Sequence, residues 1–396
     1  VKRVTVSQRL GREHGAIIVH VVMAMVILLG LSAFTVDYGM LWISRQQAQN
    51  AADAAATAGA VARAYDDSAA PPSPGSIVEQ SVAELVTANP VWSNPGTHVV
   101  SYDCPPDLAT SLPCVRVDVF RDAAHGNPLP TIFGPVLGIM AQDVRATATA
   151  LVAPGNSTTC LKPWAIPDKW IEHRPVTKGW APGDVFNRYD ESSGALLSPA
   201  DDYIPPIPGP GGMETATELG LQISMTFANP DASDPITTGF LLPVSLPGAN
   251  TYEQNIASCN GQLLALDSVL PTESLSVLTD TITGFSNLIA ADPGASWDSS
   301  TNSIQGSCAP GACGALSPRL VALALFNVEQ YQFLRATTGC PPGCTVRVSN
   351  IIGMFIESSN SSGAVGYVTK YPGLVYESAP VLSESSSFLP AIALVR

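Results

Sequence analysis

Eight cysteines, Cys104, Cys114, Cys160, Cys259, Cys308, Cys313, Cys340 and Cys344, are the side chains whose type and spacing first invite covalent or metal chemistry. Proximity in Gly/Pro-rich stretches pairs Cys104 with Cys114, Cys308 with Cys313 and Cys340 with Cys344, and elimination then pairs Cys160 with Cys259. An even set lying wholly beyond one apolar run reads as disulfides made in an oxidising compartment. A zinc site built from the last four cysteines is the alternative, since their short spacings suit thiolate ligation.

A second constellation is acidic. In "GDVFNRYDESSGALLSPADDY", residues 183–203, Asp184, Asn187, Asp190, Glu191, Asp201 and Asp202 offer oxygen ligands of the kind calcium takes, in a spacing unlike an EF-hand loop. Asp184, Asp190, Asp201 and Asp202 are therefore candidates for a structural calcium, and no other cofactor is expected. His98, His125 and His173 are the candidate general bases, without a partner visible by spacing. The nucleophile elbow, the two-histidine zinc helix and the phosphate-binding loop are all missing, so no catalytic residue is assigned. Asn156 and Asn360 match the short glycosylation sequon, a frequent pattern that carries no weight here.

The elements that position these groups begin with charge and hydropathy. The chain has 396 residues and a formal net charge of −14. Residues 1–36 hold Lys2, Arg3, Arg9 and Arg12 against Glu13, whereas the remainder holds 15 basic and 32 acidic side chains. An acidic body disfavours nucleic acid, because no basic patch can displace counterions from phosphates. No small-molecule substrate is indicated either.

Ala16 to Val36 is apolar apart from His20, Ser32 and Thr35. At ~1.5 Å per residue it spans a ~30 Å hydrocarbon core, and it is too long for a signal-peptide core. Four basic residues before it place the N-terminus in the cytoplasm and everything after Asp37 outside. No proline occurs before Pro71, so helix is expected to continue to about Tyr65. Ala48, Ala51, Ala52, Ala55, Ala58, Gly59 and Ala62 recur at three and four residue steps, which lets a sheet or another helix approach closely.

Residues 15–60, "GAIIVHVVMAMVILLGLSAFTVDYGMLWISRQQAQNAADAAATAGA", resemble the N-terminal signature of TadG-like proteins of the Tad/Flp pilus assembly system. The positions that carry the resemblance include Gly15, Ala16, Val36, Asp37, Gly39, Arg45, Gln49, Asn50, Asp53 and Gly59. It implies a membrane and assembly helix whose partners are pilus assembly proteins or pilin subunits. Related TadE-type pseudopilins carry Glu five residues after the processed Gly, where this chain has His20. That departure implies an intact anchor instead of a processed subunit. The von Willebrand factor A domain of many TadG relatives is not expected, because Asp298-Ser299-Ser300-Thr301-Asn302 lacks its final Ser and follows no apolar strand.

Four segments result: a cytoplasmic basic tail, 1–14; a transmembrane and extended helix, 15–65; a pilin-like α+β module, 66–155; and a distal, mostly β domain, 156–396. In the first module, Ile77, Val78, Val82, Leu85 and Val86 share a helical face, and "PLPTIFGPVLGI" reads as a short buried helix or turn. Strands are expected at "THVVSYDC", "CVRVDVF" and "DVRATATALVAP". The distal domain should hold a helix facing inward through Leu275, Leu278, Ile282, Phe285 and Ile289, and strands at "RLVALALF", "TVRVSNIIGMFIE", "AVGYVTKY" and "LPAIALVR". "CLKPWAIPDKW" and two later stretches resemble the C-terminal part of some TadG-related proteins.

The fold class is thus α+β: one N-terminal transmembrane helix continuing into a pilin-like helix plus antiparallel sheet, followed by a largely β domain. The expected role is an inner-membrane structural or assembly component of a Tad/Flp pilus. A filament-associated minor pilin or adhesin, its distal binding domain stabilised by calcium, is the alternative, and a periplasmic hydrolase on a membrane stalk is the third reading.

Overall fold

No proline interrupts residues 14–65, and a single helix, α1, runs from His14 to Tyr65. This computed structural model describes residues 14–65, 72, 75–106, 112–208, 211–230, 232–308, 316–340 and 344–395. With 52 residues, α1 is about 78 Å long. Its first half is long and apolar enough to cross a membrane, and the large apolar side chains from Ile17 to Val36 are exposed. Val, Ile and Phe are mediocre helix formers in water, but in hydrocarbon only a helix satisfies every backbone group internally.

The chain divides into two compact units, residues 1–152 with 393–396, and residues 153–392. In the first, α1 packs on α2 (Ile77–Ala88) and on an antiparallel sheet of β1 (Thr97–Ser101), β2 (Cys114–Arg121) and β3 (Val144–Pro154). A strand at Pro390–Val395 lies beside β3. The Ser76 hydroxyl caps α2 by accepting from the Glu79 amide. Val78, Val82 and Val86 form its buried stripe, each worth about 1.5–3 kcal/mol of burial. Ile77, expected on that face, is exposed, because the stripe follows a strict four-residue step.

A second difference matters more. Residues 129–139 do form a short turn, a 3-10 helix at Gly134–Leu137. Leu129 is in the core, whereas Ile132, Phe133, Val136 and Ile139 are exposed.

The second unit is built on strands β4 (Leu161–Pro167), β5 (Trp170–Glu172), β6 (Asp202–Tyr203), β7 (Gln222–Phe227), β8 (Phe240–Pro243), β9 (Leu320–Phe326), β10 (Thr345–Asn360) and β11 (Gly363–Thr369). Pairings run β10, β9, β4, β8, β7, β11 and back to β10, a ring of six strands with two parallel pairs, β9 with β4 and β7 with β8. Trp164, Ile223, Leu241, Leu323, Met354 and Val368 bring all six strands into one apolar cluster.

Helices α3 (Tyr252–Ala257) and α4 (Leu278–Ala291) add Ile256, Phe285 and Leu288 to that cluster. Leu275, expected on the inward face of α4, instead lies exposed in a 3-10 turn before it, and the buried face centres on Thr281, Gly284, Phe285 and Leu288. The Phe285 ring lies tilted with its centroid 4.4 Å from that of Trp164, and Ile256 of α3 closes onto Gly284, so the buried face of the helix centres there.

Candidate functional site

Asp37 follows directly on the apolar half of α1, yet it is 7% exposed. Its Oδ1 accepts from the amides of Ile132 at 2.9 Å and Phe133 at 3.2 Å. Oδ2 accepts from Phe133 at 3.1 Å and Gly134 at 2.7 Å. These amides open the 3-10 turn, so the carboxylate fills the place of an N-terminal cap supplied from another helix. Burial pushes the Asp37 carboxyl up, and the three amides outweigh it, holding it below the usual range.

The turn is closed at its base by Thr131 Oγ1 donating to the Ile139 carbonyl at 2.6 Å and by the Ile139 amide donating to the Gly134 carbonyl at 2.9 Å. A Cβ at position 134 would collide with Thr131 and with the Ile139 carbonyl. Glycine is what allows this loop to fold onto itself.

Further along α1, Ala48, Ala51, Ala52, Ala55, Ala56 and Ala60 are fully buried. Gln49 Nε2 donates to the Thr147 carbonyl of β3 at 3.1 Å and to Asp53 Oδ1 at 2.7 Å. A Cβ at Gly59 would sit 2.8 Å from a methyl of Val115 and 2.9 Å from one of Val82, so this glycine lets α1 touch β2 and α2 at once.

Asp37, Gln49 and Gly59 thus hold α1 to its own module, and Asp53 fixes Gln49 from one turn along the helix. Arg45 and Asn50 are exposed, Gly39 has open space where a Cβ would stand, and His20 lies on the exposed apolar half. Gly15 and Ala16 lie in the first turn of α1.

Disulfides join Cys104 to Cys114, Cys160 to Cys259 and Cys340 to Cys344. Cys308 is also disulfide-bonded, and Cys313 lies outside the described residues. Cys340 and Cys344 are spent in their own bridge, which removes them as thiolate ligands for zinc.

The candidate calcium ligands are each engaged separately. Asp184 pairs with Lys178 at 2.7 Å. Asp190 caps a turn through Ser192 and Ser193, whose hydroxyls and amides hold its carboxyl down to about 2. Asp201 is fully buried and accepts from the His173 and Asn187 amides at 2.7 and 2.6 Å. Asp202 pairs with Arg188 at 2.8 Å. Among the described residues no cluster of three or more His, Cys, Asp or Glu side chains is arranged to hold a metal.

His98 is held below its usual value by burial, with Glu79 opposing. His125 contacts Asp122 at 2.6 Å. His173 stands between Thr177 Oγ1 at 2.9 Å and Asp202 Oδ2 at 3.1 Å. Thr177 is exposed and Asp202 is shared with Arg188, so this chain of groups faces solvent along a strand edge.

Several structural residues had no signal in the sequence. Gln47 Oε1 accepts from the Trp92 amide at 2.9 Å, tying α1 to the segment after α2. Asp168 is fully buried, accepting from the amides of Lys169 and Met213 at 2.9 Å and from the hydroxyls of Ser349 and Tyr203 at 3.0 and 3.3 Å. Burial pushes its carboxyl up to about 6, against these four bonds. Glu172, at the end of β5, is also buried. Burial first and the Asp201 charge second push its carboxyl up.

Residues 15–62 match the family described as putative Flp pilus-assembly TadE/G-like. No curated protein and no solved structure gave a match. The family match supports a pilus-associated role.

Proposed function

We propose that this chain is a single-pass inner-membrane protein, N-terminus in the cytoplasm and body in the periplasm, that serves as a structural or assembly component of a Tad/Flp pilus through protein contacts. The observation that carries the reading is the division of α1 at Asp37. Before it, within the matched residues, the helix is exposed and apolar; after it, one face of the helix, from Ala48 to Ala60, is buried on its own module. An exposed apolar surface of that length is stable only in lipid or against other apolar helices. Arg45 and Asn50, which are exposed, and Gly39, which has open space around it, are the matched positions proposed as partner contacts.

Shearing of piliated cells followed by membrane fractionation tests the reading, with detection of the region after Cys160. Retention in the inner membrane is expected for an assembly component. The alternative, a filament-associated minor pilin or adhesin, predicts recovery with the sheared filaments, and in that case His20 takes the position that Glu holds in TadE-type subunits.

A further inference from the structure

Five exposed apolar side chains of the first unit gather in one place. Ile132, Phe133, Val136, Ile139 and Met140 crowd one short loop, with Val136 86% and Met140 68% exposed. Residues 128–142 contain no charged side chain. Isolated exposed apolar residues are ordinary, but five in one loop mark a surface meant to be covered.

The position of the loop says by what. Three of its amides are bound to the Asp37 carboxylate at 2.7–3.2 Å. The loop therefore lies at the level of residue 37, where the apolar half of α1 ends. The 21 residues from Ala16 to Val36 rise about 31 Å, the thickness of the hydrocarbon core, so this level is the bilayer interface. Tyr38 and Trp42, both exposed, lie within a turn and a half on α1, as aromatic residues do at headgroup depth.

We infer that the loop Ile132–Met140 is a second membrane contact, its apolar side chains seated in the outer-facing leaflet beside the emerging helix; this rests on the membrane-spanning reading of α1. Asp37 then has a specific task. It saturates the amides of a turn that would otherwise enter the interface with unpaired donors, and the amides in turn offset the charge. The contact is apolar and calls for no anionic lipid, in keeping with an acidic body. Two anchoring points on one module restrict its swivel about the membrane normal, which a single helix does not.

The test uses the full chain in phosphatidylcholine vesicles. An environment-sensitive label is placed at Val136→Cys, with Leu28→Cys as the reference in the span and Glu84→Cys as the reference in water. The label at 136 is expected to be quenched by lipid-borne spin labels to roughly half the extent seen at 28 or more, and to be several-fold less sensitive to aqueous iodide than at 84. A label at 136 as open to iodide as that at 84, with the label at 28 in lipid, overturns the loop contact and leaves the span intact. Protection from iodide without lipid quenching means that protein, this chain or a second copy of it, covers the loop, and overturns the inference equally. A label at 28 outside lipid removes the spanning reading and the loop contact together.

Discussion

Asp37 Oδ2 and the Gly134 amide lie 2.7 Å apart across 97 positions of sequence, joining the end of the apolar helix to a turn of the sheet module. Asp37→Ala is expected to release that turn. Hydrogen exchange should then speed up at Ile132, Phe133 and Gly134 by on the order of tenfold, while α2 keeps its protection. Asp37→Asn retains an acceptor for Ile132 and loses the one facing Gly134, so its effect should concentrate at Gly134. Unchanged exchange at all three amides in the alanine variant would show that the turn holds itself.

Two glycines of α1 should respond in opposite directions. Gly59 is pressed between Val115 and Val82, and a methyl there overpacks a core, a change that costs about 1–3 kcal/mol. Gly39 has open space around it, and replacing a helical glycine by alanine gains about 1 kcal/mol. Chemical denaturation of the full chain in detergent is expected to rank Gly39→Ala above the parent and Gly59→Ala below it. If Gly39→Ala is stable but blocks pilus assembly, Gly39 belongs to a partner contact.

Asp168 should make stability depend on pH in a particular sense. Its folded carboxyl is raised to about 6, so the folded state keeps the proton that the unfolded state has already lost, and ionisation costs stability as pH rises from about 4 to 6. Asp168→Asn removes that cost. Relative to the parent, the variant should therefore gain about 3 kcal/mol between pH 4 and pH 7, measured by denaturant unfolding at each pH. Other carboxyl groups, Glu172 included, are common to both proteins and cancel in the difference. A difference that does not vary with pH would place the Asp168 carboxyl in the ordinary range.

The three described disulfides should not contribute equally. Cys160–Cys259 closes a separation of 99 residues and Cys340–Cys344 one of 4. Chain-entropy loss predicts about 4.7 kcal/mol for a loop of roughly 100 residues and about 2 kcal/mol for the short one. Paired serine substitutions compared by urea unfolding should follow that order. Equal losses would mean that native contacts, not loop closure, set the contribution of each bridge.

Local information was sufficient for much of this molecule. Helix α1, the strands around Val117, Leu323 and Met354, and the α+β class follow from runs and periodicities that the sequence displays openly, because each depends on neighbours within a few turns. The match at residues 15–62 is of the same kind. Cysteine proximity also indicated Cys104 with Cys114 and Cys340 with Cys344, since short loops close easily. Tertiary structure alone decided where polar side chains were spent. Asp201 read as a candidate calcium ligand and is a buried acceptor of two amides, and Asp37, read as part of the membrane and assembly helix, caps a distant turn. The stretch from Pro128 to Ile139 read as a short buried helix or turn, and Ile132, Phe133, Val136 and Ile139 within it lie exposed. Hydrophobicity records that a side chain avoids water, but not whether its own fold, a partner or a membrane will cover it; that depends on long-range contacts which no local window contains.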